Sequence, residues 1–212
     1  MKKVLFILLL ISVVFFLLQN HLVLKPTESR KIVQSFSDLL KDVGLISQIE
    51  YISGTGSMFP TFPKGKGKTN LERANEIVGS HTTIPYPGGI VVFGKRYHGY
   101  TLQRGDIVFF SNTKTNEIIA KEASGSSITN SGFVKRIIAL PGDSIEIRDG
   151  FVLLNDNIIN EPYIAKARST YGGNYIADCQ LKIVTPGQVF VMGDNRKSSN
   201  DYRFDLGLVA TT

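Results

Sequence analysis

The sequence predicts a mostly β protein: a compact antiparallel β domain with one N-terminal transmembrane helix. Three observations lead there. Residues 4–18, VLFILLLISVVFFLL, hold 14 apolar residues in 15 positions, directly after Lys2 and Lys3. From residue 46 onward, short runs rich in β-branched and aromatic residues alternate with Gly, Asn and Asp. The dipeptides Asp149-Gly150 and Asn155-Asp156 are the turn residues of tight β-hairpins.

The first element spans residues 1–25, a cytoplasmic tip and a signal anchor. The apolar run alone makes about 22 Å of helix, short of a ~30 Å hydrocarbon core. Extension to Leu22, Val23 and Leu24 reaches the required length. A cleavable signal needs small residues near its end, and QNHLVLKPTESR has none there, so an uncleaved anchor is favoured over a cleaved signal or a buried core helix. Lys2 and Lys3 hold the N-terminus in the cytoplasm and leave the rest outside. The mean hydropathy of +0.04 is therefore an average over one anchor and a more polar domain. A lone cysteine, Cys179, excludes a disulfide scaffold and a thiolate zinc cluster.

Residues 26–45 read as an amphipathic helical connector. Ile32, Phe36, Leu39, Leu40 and Val43 recur at helical spacing within 28–43, and Gly44 stops them. Residues 46–212 form the β-rich domain. Its strands are expected at 90–93, 107–110, 117–121, 133–140, 144–147, 151–154 and 189–192. Residues 62–89, rich in Gly, Lys and Pro, read as a loop insertion. Lys64, Lys66, Lys68 and Arg73 within it are either a solvated loop or a contact with anionic headgroups of the bilayer. The net charge of +6 carries no nucleic-acid signal, because no aromatic residues interleave with the basic ones.

Chemistry-bearing motifs are few. There is no P-loop, no dinucleotide fingerprint and no paired metal-ligand histidine spacing, so no cofactor and no metal are predicted. His21, His81 and His98 lack any supporting motif for a histidine base. Three segments stand out. Gly54-Thr55-Gly56-Ser57-Met58-Phe59-Pro60-Thr61 sets a serine between glycines and a proline, which is either an ordinary turn or a loop that exposes a nucleophile. Lys135 lies inside the apolar run 133–140, with Val134 and Arg136 on the opposite face. It is either an edge-strand lysine or a desolvated general base. The polar segment from Gly193 to Arg203 follows a strand and places Asp201 and Arg203 two residues apart, within pairing reach.

Taken together and in this order, these segments resemble the bacterial type I signal peptidases, a membrane-bound family that removes signal peptides with a Ser/Lys dyad. The resemblance rests on GSMFPT at 56–61, RGDIVF at 104–109, KRIIALPGD at 135–143, and Gly193-Asp194-Asn195-Arg196 followed by Ser199, Asp201 and Arg203. It implies the family's mostly-β catalytic core, anchored in the bacterial cell membrane with the catalytic domain outside the cytoplasm. It implies Ser57 as nucleophile and Lys135 as base, with Ser199 orienting the lysine. The Ser57 backbone N–H and the Thr55 hydroxyl would form the oxyanion hole. Asp201 and Arg203 would pair as structural support, Asp194 would shape the same loop, and Met58 and Pro60 would border the substrate pocket. The implied partners are preprotein signal peptides cut after small residues, the lipid bilayer and the protein-export machinery. A peptidase dedicated to conjugative or secretion-system pilin precursors is an alternative, as is a non-catalytic, membrane-tethered β domain that binds peptides. The chain departs from the family pattern at Tyr202, where a serine is expected, and by an apparent extra residue, Asp205, before Gly207. The stretch from Thr61 to Arg104 is longer than a minimal member needs. The short stretch after Asp143 implies a small second subdomain at 144–188.

Overall fold

Side-chain alternation and turn chemistry place six of the eleven strands among the described residues, those at Ile90–Val92, Ile107–Phe110, Phe133–Ala139, Ser144–Arg148, Phe151–Leu154 and Phe190–Met192. A computed structural model describes residues 26–42, 44–97, 99–122 and 132–204. In chain order these hold α1 (Pro26–Asp42), β1 (Gln48–Ser53), α2 (Asn70–Asn75), β2 (Ile77–Tyr86), β3 (Ile90–Val92) and β4 (Lys95–Tyr97). Then follow β5 (Ile107–Phe110), α3 (Thr113–Glu122), β6 (Phe133–Ala139), β7 (Ser144–Arg148) and β8 (Phe151–Leu154). The chain closes with β9 (Asn157–Ile158), β10 (Lys182–Ile183), β11 (Phe190–Met192) and a 3-10 turn at Tyr202–Phe204. The expected anchor, His21, His98, Asp205 and Gly207 lie outside the described residues. Among the described residues, no helix is long and apolar enough to cross a membrane.

The main sheet has the order β1-β2-β5-β6-β11, and a second sheet has the order β10-β7-β8-β9. Among the described residues all strand pairs are antiparallel but one. β2 and β5 run parallel, with Ile84 opposite Val108 and Tyr86 opposite Phe110. The connection across residues 87–106, which includes the β3–β4 hairpin, returns the chain to the same end of the sheet and so allows that parallel pairing. The purely antiparallel expectation is corrected at this one pair.

The hairpins follow from the dipeptides that predicted them. Asp149 and Gly150 have φ of 52° and 85°, and Asn155 and Asp156 have φ of 50° and 63°. Positive φ at both central residues matches the twist of the flanking strands β7, β8 and β9. One apolar core joins the two sheets: Ile138, Ala139, Phe190 and Met192 pack with Ile145, Ile147, Val152 and Ile176. The second sheet thus draws on residues 144–183 but shares its core with the first.

Two expectations are overturned. Residues 117–121 are not a strand but part of α3. Asn112 Oδ1 accepts the Thr115 N–H at 2.8 Å, and Thr115 Oγ1 accepts the Asn112 N–H at 2.8 Å. This reciprocal cap starts a helix where apolar content alone suggested β structure. Residues 62–89 are not a loop insertion. They contain α2 and the ten-residue β2, which sits between β1 and β5 in the main sheet. Its β-branched residues were masked by the Gly, Lys and Pro on either side. The connector helix runs over Pro26–Asp42 and ends as expected at Gly44 (φ 67°). Leu45 N–H bonds Leu40 O at 2.9 Å and Gly44 N–H bonds Lys41 O at 2.8 Å, the two bonds of a glycine C-cap.

Candidate active site

β1 delivers the chain into the turn that carries Ser57. Gly56 there has φ 80°, a conformation that side chains resist. The turn sends Met58 inward, where it packs with Ile52 and Phe62. Phe59 and Pro60 point outward and are exposed. Met58 therefore lines the cleft over Ser57 and Pro60 does not; Pro63 takes a place in the lining instead. This corrects Pro60 as a pocket residue.

β6 delivers the amine. Alternation along the strand turns Lys135 toward Ser57 and Arg136 the other way. Lys135 is 3% exposed, and its Nζ donates to Ser57 Oγ at 3.0 Å. The Phe133 ring, two residues earlier on the same face, lies 5.1 Å from Nζ. Burial drives the Lys135 pKa from 10.5 down to about 8; Asp201 and Asp194 pull it up and Arg203 pushes it down. Desolvation outweighs both carboxylates, because an ammonium loses its hydration there without gaining a direct ion pair. Above pH 8 the amine is neutral, and the shared hydrogen bond can run from the serine hydroxyl to nitrogen.

On the far face of β6, Arg136 makes a two-point pair with Asp194, at 2.9 and 2.8 Å. Thr61 Oγ1 also donates to Asp194, at 2.5 Å. Between Asp194 and Arg196 stands Asn195, whose backbone N–H bonds Ser57 O and whose side chain bonds Gly56 O, both at 3.0 Å. The loop after β11 thus grips the turn that carries Ser57 directly. Arg196, itself buried, is clamped by Glu161 and donates to Gly193 O at 3.1 Å. Asp201 and Arg203 pair through two bonds, at 2.8 and 2.9 Å, and Asp201 also accepts the Gly193 N–H at 3.1 Å.

Ser199 is buried at 6% exposure, and its Oγ has no hydrogen-bond partner. The expected bond between Ser199 and the lysine is absent in this structure, where Nζ is bonded to Ser57. Thr55 is exposed and lines the same cleft as Ser57 and Lys135. That cleft encloses about 510 Å³, a volume typical of ligand sites.

Sequence reasoning did not single out Asn195, Arg136 or Glu161 as supports. Arg136 and Asn195 stand inside the matched segments, beside residues that were named. Glu161 gave no local signal, because its partner Arg196 lies 35 positions away.

Gly193 permits this packing. A Cβ there would press into Ser199 Oγ and the Ser57 carbonyl, well inside van der Waals contact. Gly193→Ala is expected to destabilise the fold by about 1–3 kcal/mol through overpacking and to lower kcat. Thermal unfolding and turnover of the variant check both.

The residues 50–212 match the model of the family described as signal peptidase, peptidase S26. A signal peptidase I of Bacillus licheniformis is 34% identical over 117 residues, covering 54% of this chain and 55% of that one. Signal peptidase I T of Bacillus subtilis (strain 168) is 35% identical over 112 residues, covering 51% of each chain. The chain thus spans about half the length of the curated relatives it matches. Among solved structures, a signal peptidase I from Enterococcus faecalis V583 is 28% identical with a TM-score of 0.36, covering 53% of this chain and 92% of that one.

Proposed function

We propose, since the chain belongs to the signal peptidase, peptidase S26 family, that it is a membrane-anchored serine endopeptidase that cuts signal peptides from exported preproteins. The observation that carries this reading is the 3.0 Å bond between Ser57 Oγ and the Nζ of a lysine buried to 3% exposure. Such a lysine is neutral at mildly alkaline pH and can act as a base.

The bond between Lys135 and Ser57 supports the following steps. Neutral Lys135 takes the Ser57 proton as Oγ attacks the scissile carbonyl. The Ser57 backbone N–H and the Thr55 hydroxyl stabilise the oxyanion, worth about 3–4 kcal/mol per donor. The lysine ammonium then protonates the leaving amine, and an acyl-serine remains. Lys135 next activates a water that releases the acyl group. Ser199, buried beside this site without a partner, is assigned to orienting the amine during these steps. Cleavage after a small residue is what the resemblance to the family implies, with Met58 lining the cleft beside Ser57. Residues 1–25 would anchor the enzyme in the bacterial cell membrane, with the domain outside the cytoplasm.

The test is cleavage of an exported preprotein in detergent by the wild type and by Ser57→Ala. The wild type should cut after a small residue and the variant should not. A folded but inactive wild type would favour a peptide-binding module. A second expectation concerns pH: kcat/KM should rise about tenfold per unit below pH 8 and level off above it, following a base with a pKa of about 8. A profile that stays flat from pH 5 to 9 would exclude a lysine base.

A further inference from the structure

Residues 63–76 build one wall of the cleft, and we infer that this wall reads an apolar side chain of the substrate away from the cut bond, with Leu71 as the contact. The inference rests on the peptidase reading above.

The wall is fastened to the strand that feeds the nucleophile. Gly65 N–H donates to Gly54 O at 2.9 Å, and Gly54 N–H donates to Glu76 O at 2.7 Å. The approach is close enough that a Cβ on Gly54 would lie 2.7 Å from Gly65 Cα. The Glu76 carboxylate accepts the N–H groups of Lys66 at 2.8 Å and Gly67 at 3.3 Å. Thr69 and Glu72 close a capping box at the start of α2. Arg73 Nη1 donates to the carbonyls of Gly67 and Lys68 at 2.7 and 3.0 Å. The Lys64 stem lies over Gly56, beside Ser57. A segment this rich in Gly and Lys has little apolar surface to hold it, so these bonds keep it in one shape.

What the wall presents is specific. Asn70, Leu71, Ala74 and Asn75 face the cleft that holds Ser57 and Lys135. Leu71 is 38% exposed and belongs to none of the apolar core clusters among the described residues. An apolar side chain kept out of the core and fixed at the edge of a concave site is a binding contact. The Asn75 amide and the NH2 of Asn70, whose Oδ1 accepts from Arg73, offer hydrogen bonds to an extended peptide backbone. α2 is tied through Glu76 to Gly54, and Leu71 stands outside the cluster of Ile52, Met58 and Phe62 beside Ser57, so the substrate residue assigned to it is not the one at the cut.

The test compares the full chain with Leu71→Asp and Leu71→Met on two peptide sets. One set is a short core peptide around the cut; the other extends it at either end with apolar residues. The wild type should show a lower KM for one extended set. Leu71→Asp should raise that KM roughly tenfold, leave kcat and the core peptide unchanged, and be rescued by Leu71→Met. With Ser57→Ala as background, Leu71→Asp should weaken binding of the uncut extended peptide by the same factor, read by fluorescence anisotropy. Equal effects on core and extended peptides, or no effect on either, would overturn the assignment of Leu71. Failure of the wild type to cut or bind any of these peptides would sink the peptidase reading and this one together.

Discussion

Lys135→Met is expected to abolish turnover and to stabilise the protein below pH 8. With Lys135 as the base proposed above, its loss should lower kcat by about 10³-fold or more, since nucleophile and base act as a unit. The stability change has the opposite sign. The lysine is buried, and its folded pKa of about 8 lies below its ordinary 10.5. Below pH 8 both folded and unfolded states carry the ammonium, and the folded state bears the full cost of burying it. Between pH 8 and 10.5 the unfolded state binds the extra proton, so wild-type stability rises with pH. Above 10.5 both states are neutral and the cost is gone. At 1.36 kcal/mol per pKa unit, the cost below pH 8 is about 3 kcal/mol. Methionine has a similar shape and no charge, so the variant should gain about that much at pH 6, or ~10 °C in Tm. At pH 10.5 the gain should shrink to a few tenths of a kcal/mol. Thermal unfolding of both proteins at the two pH values measures the difference, and differences in packing cancel between them. A variant no more stable at pH 6 than at pH 10.5 would mean that Lys135 is not desolvated.

The part of this site that was legible in the sequence is the part fixed by alternation and by turn residues. Period-two patterning put Lys135 opposite Val134 and Arg136. Asp149-Gly150 and Asn155-Asp156 marked hairpins, because few residue pairs accept positive φ twice in succession. Gly44 ended α1 for a related reason. Long-range partners left no such trace. Arg136 finds Asp194 across 58 positions, and Arg196 finds Glu161 across 35. Nothing near Glu161 distinguishes it from a surface carboxylate. β2 was hidden because its own pattern, IVGSHTTIPY, is interrupted by Gly79 and Pro85, and its burial comes from strands β1 and β5 on either side. The 117–121 error was one of period. Ile118 and Ile119 fit a strand as well as a helix, and only the cap at Asn112 decides between them.

The pairing of Asp201 with Arg203 was also legible, but its depth was not, and depth sets the size of the second large effect. Asp201→Asn is expected to destabilise the protein by about 3–5 kcal/mol, on the order of 10 °C in Tm. Both side chains are at most 1% exposed. The substitution keeps the shape and removes the negative charge, so the Arg203 guanidinium would remain buried beside neutral groups alone, the carbonyls of Tyr171 and Arg196. A lone buried cation is far costlier than a missing surface pair. Asp38→Asn provides the contrast: Asp38 pairs with Lys41 at 3.4 Å with both side chains well exposed, and its loss should change stability by less than about 1 kcal/mol. Joint replacement, Asp201→Asn with Arg203→Met, should recover a good part of the loss, because it removes the stranded charge along with its partner. Activity should not recover with it. Asp201 also accepts the Gly193 N–H at 3.1 Å, and Gly193 packs against Ser57. Unfolding midpoints and turnover of the single and double variants separate the two contributions. An Asp201→Asn protein as stable as the wild type would show that the pair does not support the loop beneath Ser57.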